Sequence, residues 1–303
     1  MKSALKHILI PILLFIWALA MPAHEAYAKD LKVYISADME GVAGVVTGNQ
    51  LGPGGFDYER FRGFMTAEVN AAIEAAREAG AKDIVVSDSH GNGLNLLLDE
   101  LPQDIQIVRS WPRPLGMMEG IDATFDAAIF IGYHASADNP QGILAHTQSS
   151  ADFYSVKING RAMSEGAINA LIAGHFGVPV VMVSGDDAAV SEVSEVVGPM
   201  EGAVVKWHSS RTAGRSLMPK AAQALIREKT LAGLRRRDEI PPFTIAGPLT
   251  LDLSYKNADA AEMISYLPNV DRIDAHTVRY VGDIVEINMF FEMALGYPPT
   301  MNH

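Results

Sequence analysis

Short apolar runs that end in acidic or imidazole side chains alternate, over the first 190 residues, with longer stretches of helical periodicity. Leu31–Ala37 is an apolar run closed by Asp38, the pattern of a parallel strand buried on both faces. Residues 41–55 hold six glycines and a proline and read as a long loop. Tyr58–Glu78 places apolar and alanine residues at helical spacing, with Gly80 as its stop. Ala81–Asp88 is the second strand, 105–108 a third, and 127–132 a fourth that runs into His134. Residues 155–158 read as a short strand and Asn159-Gly160 as a tight turn. Ser164 is then the N-cap of a helix reaching His175, and 178–183 is another buried strand, followed by Asp186 and Asp187. Alternation of this kind predicts an α/β fold with a mainly parallel, helix-flanked sheet.

The pattern changes after about residue 190. Residues 219–237 form one amphipathic helix with a basic end, which suits the helix dipole. Residues 243–255 and 275–281 alternate as antiparallel strands do, and 258–266 and 284–295 read as helices. The expected organisation is therefore a catalytic α/β domain over 29–190 and a smaller α+β domain over 191–303.

Residues 1–28 belong to neither. Lys2, Lys6 and His7 precede an apolar run over 8–21, and Ala26-Tyr27-Ala28 supplies the small-x-small pattern that signal peptidase reads. Fourteen apolar residues are too few for a membrane span, which needs about 20. The reading is a cleaved secretory signal, an exported protein in the periplasm or outside the cell, and no membrane attachment after cleavage. The chain has no cysteine, so disulfides do not staple it, and 275 of its 303 residues remain to build a core. Residues 1–28 carry a net charge of +1, so removing them takes the chain from −12 to −13. That acidity argues against nucleic acid as a partner.

Candidate chemistry collects at the strand exits. Asp38, His90 and His134 each follow a strand, where an open α/β sheet gathers its ligands. Glu40 shares a face with Asp38 if the backbone stays extended. Carboxylates and imidazoles without cysteine suit one or two borderline divalent metals, zinc above all. Glu165, in a first helical turn, also suits the helix dipole, and His146 fits an ordinary surface position. Asp186 and Asp187 fit metal ligands, partners that orient a histidine, or turn residues, with the last two favoured. His175 fits a helix end, and His208, His276 and His303 have no partner pattern. A dinucleotide fingerprint, a phosphate loop and a nucleophile elbow are all missing from the sequence.

Seven segments in order resemble the D-aminopeptidase family of zinc metallopeptidases. They are SADMEGVAG from Ser36, SDSHG from Ser87, MMEGID from Met117, GYHA from Gly132, LAHT from Leu144, INGR from Ile158 with SEGAINA from Ser164, and SGDD from Ser184. The resemblance implies two zinc ions per subunit, with Asp38 bridging them. It further implies that Glu40 and His134 complete one site and His90 and Glu165 the other. His146 matches the family's proposed catalytic histidine. The family also implies a two-domain α/β protomer, short peptides as substrates, and a homo-oligomer in the form of a ring-stacked decamer.

The expected activity is thus that of an exported zinc aminopeptidase acting on short peptides, including those with an N-terminal D-residue. Two rivals share the ligand set: an amidase or phosphoesterase, and a periplasmic binding protein with structural metal. Phosphoesters call for basic residues near the metals, where the sequence offers Arg109 and Arg113. N-terminal sequencing of the exported protein is expected to begin at Lys29, whereas an intact Met1 on membrane-bound material overturns the signal reading.

Overall fold

The computed structural model describes residues 30–296; the expected signal segment and His303 lie outside them. Seven strands form one sheet: β1 (Leu31–Ala37), β2 (Ala81–Asp88), β3 (Gln106–Val108), β4 (Ala127–Tyr133), β7 (Val180–Asp186), β8 (Glu201–Ser210) and β9 (Ala213–Ser216). Their spatial order is β3-β2-β1-β4-β7-β8-β9, all neighbours parallel except the β8–β9 hairpin. The expected α/β class is the one observed. β1 and β4 are buried almost throughout, as strands covered on both faces must be.

Among the described residues six α-helices accompany the strands: α1 (Tyr58–Glu78), α2 (Glu165–His175), α3 (Asp187–Val197), α4 (Pro219–Arg235), α5 (Ala258–Ile264) and α6 (Ile284–Gly296). α1 links β1 to β2 and α3 links β7 to β8, so the two crossovers travel in opposite directions along the sheet. Right-handed crossovers therefore put them on opposite faces. The sheet order reverses between β1 and β4. At that switch point the carboxyl ends of neighbouring strands open a crevice.

A second sheet has the order β11-β12-β10-β5-β6, all antiparallel, from β5 (Phe153–Ile158), β6 (Arg161–Ala162), β10 (Leu249–Tyr255), β11 (Val270–Arg272) and β12 (Thr277–Gly282). The sheets interleave along the chain. β8 and β9, which follow residue 190, extend the parallel sheet; β5 and β6, which precede it, join the antiparallel one. The division of sheets thus does not fall at residue 190. The buried apolar residues also form one continuous cluster, from Val33 and Ile129 to Leu251 and Val278. Interleaving has a local cause: the β5–β6 hairpin leads directly into α2, whose first residue is Glu165. Among the described residues no helix is long and apolar enough to cross a membrane.

Two glycines let the loop after β1 lie against the end of β4. Asp38 N–H donates to the Ile131 carbonyl at 2.8 Å, and Gly41 N–H to the Gly132 carbonyl at 2.7 Å. A Cβ on Gly41 would stand 2.1 Å from the Tyr133 carbonyl oxygen. One on Gly132, whose φ is +73°, would stand 2.2 Å from that of Asp38. Gly132→Ala is therefore expected to lower stability in urea unfolding by more than the roughly 1–3 kcal/mol of the left-handed backbone alone. An unchanged midpoint shows instead that the contact yields freely.

Candidate metal centre

Asp38, Glu40, His90, His134 and Glu165 are all buried, and the fold draws them together at the switch-point crevice. β1 delivers Asp38 and Glu40, β2 delivers His90, and β4 delivers His134. Glu165 arrives on α2, whose start is fixed by Ser164: its hydroxyl accepts from the Ala167 N–H. The Gln148 N–H holds Glu165 Oε1 at 2.7 Å.

Asp38 sits at the middle of the cluster. Its Oδ1 lies 3.1 Å from His90 Nδ1, and its Oδ2 lies 3.4 Å from His134 Nε2. Glu40 Oε2 stands 2.9 Å from the same His90 nitrogen, and Glu165 Oε2 stands 3.4 Å from that of His134. The outer groups therefore divide as Glu40 with His90 and Glu165 with His134. Short side chains at adjacent strand exits explain the observed grouping, since Glu40 turns toward the β2 exit while α2 starts beside that of β4.

His146 joins from the loop after β4. Its ring stacks on that of His134, with centroids 4.0 Å apart and planes at 8°. Its Nε2 lies 3.8 Å from Glu165 Oε1 and 4.0 Å from Glu40 Oε1. Leu144 and Gln148, on either side, have φ of 56° and 65°, a conformation costly for side-chain-bearing residues and typical of functional loops.

Each imidazole commits one nitrogen to a backbone carbonyl. His90 Nε2 donates to Leu51, His134 Nδ1 to Ala135, and His146 Nδ1 to Leu144, at 2.7, 3.0 and 2.9 Å. The remaining nitrogens all turn toward carboxylates. Orientation by a carbonyl of this kind is how proteins prepare a histidine for metal. Asp38 Oδ2, Glu40 Oε2 and His134 Nε2 are buried and have no hydrogen-bond partner. Buried oxygen and nitrogen atoms that converge and leave three of their number without a hydrogen-bond partner fit divalent cations. Two groups qualify by proximity: Asp38, Glu40 and His90, and His134, His146 and Glu165. The donor chemistry suits zinc.

Electrostatics separates the imidazoles. Burial works against charge on His90 and His134, but neighbouring carboxylates prevail and hold both well above the ordinary imidazole value. His146 moves the other way: burial and the stacked His134 ring lower it, against Glu165 and Glu40. Burial and the Glu40 charge raise Asp38 to about 7. Burial also opposes charge on Glu40 and Glu165, yet the facing imidazoles keep both below the usual carboxylate value.

The cluster opens into a cavity of about 660 Å³ walled by Trp111, Met117, His146, Gln148, Glu292 and Leu295, among others. No arginine or lysine is among its lining residues. Arg113 is buried, and its guanidinium is taken up by Ser87 Oγ and by the Asp88 and Ser110 carbonyls.

Asp186 is a cap, not a ligand: its carboxylate accepts from the Ala189 N–H at the start of α3 and from the Ile143 N–H. Asp187 accepts from the His208 N–H, and His175 and His276 are exposed. Two buried charges escaped the sequence reading. Lys206 donates to the Glu40 and Val45 carbonyls, and Glu68 accepts from the Ala43 N–H. The signals were present: Lys206 interrupts the apolar run AVVKW, and Glu68 lies on the helical stripe of Phe61, Met65, Val69 and Ala72.

An α/β sheet with carboxylates and imidazoles at its switch point defines a metallohydrolase class of protein. The chain belongs to the M55 peptidase family, described as D-aminopeptidase, which it matches over residues 31–293. It is 36% identical over 243 residues to a D-aminopeptidase of Bacillus subtilis strain 168, covering 80% of this chain and 87% of that one. Its fold superposes, with a TM-score of 0.86 and 32% identity, on the solved structure of the Zn-dependent D-aminopeptidase DppA from Bacillus subtilis, described as a self-compartmentalizing protease. That match covers 90% of this chain and 100% of DppA.

In protein stripped of metal by chelation, the His146 imidazole is expected to titrate below the ordinary range, with His90 and His134 above it. Imidazole ¹⁵N shifts followed against pH read all three. A His146 that titrates with the other two overturns this ordering.

Proposed function

We propose that this chain is a zinc-dependent D-aminopeptidase that cleaves the N-terminal residue from short peptides at a two-zinc centre, and that it works after export. The observation that carries the reading is the centre: Asp38 directs one carboxylate oxygen to each of two clusters, and Asp38 Oδ2 and His134 Nε2 have no donor or acceptor of their own. Family membership supports peptide hydrolysis, and zinc dependence is the stated property of DppA. Asp38, Glu40 and His90 would hold one ion; Asp38, His134 and Glu165 would hold the other. Such a pair supplies positive charge that polarises the scissile carbonyl and acidifies an attacking water.

The chain's own residues supply the rest. Trp111, Met117 and Leu295 wall the cavity with apolar surface that excludes bulk water and orients the substrate side chain. His146 is held neutral, with Nε2 facing the cluster and Nδ1 tied to Leu144. It can accept a proton at Nε2 from the attacking water and return it to the leaving amine. The cavity lining favours amides over phosphoesters, since no arginine or lysine lines it to meet phosphate oxygens. The self-compartmentalizing nature of DppA supports a homo-oligomeric assembly here, and the leader pattern over 1–28 supports export.

Three preparations test the centre together, each with metal content and turnover of D- and L-aminoacyl amides measured on the same sample. Wild type is expected to hold two zinc ions per subunit and to prefer the D-substrate. Asp38→Ala is expected to lose both ions, and a full complement there sinks the bridging role. His146→Ala is expected to keep both ions while turnover falls by about 10²–10⁴. Loss of an ion in His146→Ala makes His146 a ligand, and near-normal turnover removes it from the chemistry.

A further inference from the structure

Lys206 is fully buried, the one lysine so placed among the described residues. It enters from β8, beside Asp186 in the register of β7 and β8. Its ammonium donates to two backbone carbonyls of the loop after β1, those of Glu40 and Val45. Glu68, on α1, accepts from the Ala43 N–H between them at 3.0 Å. Gly44 N–H donates to Ser216 Oγ at 2.8 Å. The loop is thus gathered from behind by side chains on three separate elements, while its front carries Asp38 and Glu40.

Fold stability does not call for an ammonium here. A buried charge costs several kcal/mol to desolvate, and well-packed apolar groups in its place are commonly as stable or more so. What an apolar side chain cannot do is pull two carbonyls, five residues apart, onto one point. That convergence fixes the curl of residues 40–45 and hence the direction in which Glu40 leaves the backbone toward His90. Glu68 and Asp186 flank the ammonium and offset its charge.

We propose that Lys206 is a positioning residue that sets the Glu40 end of the metal centre, with no contact to substrate. The inference rests on the two-zinc reading above. A full-length chain carrying Glu165→Gln isolates the Asp38–Glu40–His90 end, and one carrying Glu40→Gln isolates the Asp38–His134 end. Zinc titration by calorimetry is made in each background with and without Lys206→Met. The double change Lys206→Met with Glu68→Gln is added so that no carboxylate is left without its cation. Thermal melting of every chelated protein is followed in parallel.

The expected result is a roughly 10–100-fold loss of zinc affinity at the Glu40 end, the usual effect of removing a group that orients a ligand. The other end should change by less than about threefold, and the chelated double variant should melt cooperatively within a few degrees of wild type. Equal affinity at the Glu40 end overturns the proposal, because Lys206 then only fills space. Equal loss at both ends, or failure of the double variant to fold, also overturns it, because the ammonium then supports the core generally. Wild type that takes up fewer than two zinc ions removes the two-zinc reading itself, and this inference with it. That result is seen before any variant is compared.

Discussion

Three carboxylates buried within a few ångströms of one another are the constraint on which the structure depends. Asp38, Glu40 and Glu165 are each at most 5% exposed, so water cannot screen them from one another. Like charges this close raise one another's pKa unless cations intervene, and Asp38, at the centre, is the one pushed up. Glu40 and Glu165 escape because each faces an imidazole. The three histidines are held in turn by carbonyls of loops that leave the same sheet edge. The site is therefore a balance in which the His90 imidazole offsets Glu40 and that of His134 offsets Glu165.

Bringing that much charge to one place requires backbone segments to approach more closely than side chains normally allow. Gly41 and Gly132 provide the approach between the β1 loop and the end of β4. The topology then does what local sequence cannot. Reversal of strand order between β1 and β4 leaves a gap that no helix fills, and the interleaved second sheet swings α2 across so that Glu165 faces that gap. The second sheet is thus part of how the site is made, rather than an appendage to it.

Much of this was legible in the sequence because buried parallel strands leave a plain signature. Leu31–Ala37, Tyr58–Glu78 and Ala81–Asp88 form the expected elements with the expected bounds. Asp38, His90 and His134 could be named from position alone. α3 escaped notice, since Asp186 and Asp187 read as a turn when Asp186 is in fact its N-cap. β8 escaped for a different reason: Lys206 breaks its apolar run, and a lysine in a central strand is ordinarily evidence against burial. The contacts of Glu40 with His90 and of Glu165 with His134 were also hidden, because spacing along the chain does not say toward which neighbour a glutamate turns. Fold membership of the β5–β6 hairpin depended on a partner of β5 nearly a hundred residues away, Leu251 lying opposite Ile158.

His146 shows how one cluster can yield two kinds of imidazole from the same residue type. His134 lies between two carboxylates and is stabilised in its charged form. Burial drives His146 toward neutrality, and the charge of the His134 ring on which it stacks adds to this, against Glu165 and Glu40. The two carboxylates lie 3.8 and 4.0 Å from its Nε2, no farther than the stacked ring, yet their attraction does not offset burial and that repulsion together. The neutral ring stands at the cavity wall, where a proton can be exchanged with a bound molecule. The His90 and His134 side chains are more deeply buried, 7% and 1% exposed against 14% for His146. The tight loop from Leu144 to Gln148 keeps His146 on the shallow side of the crevice.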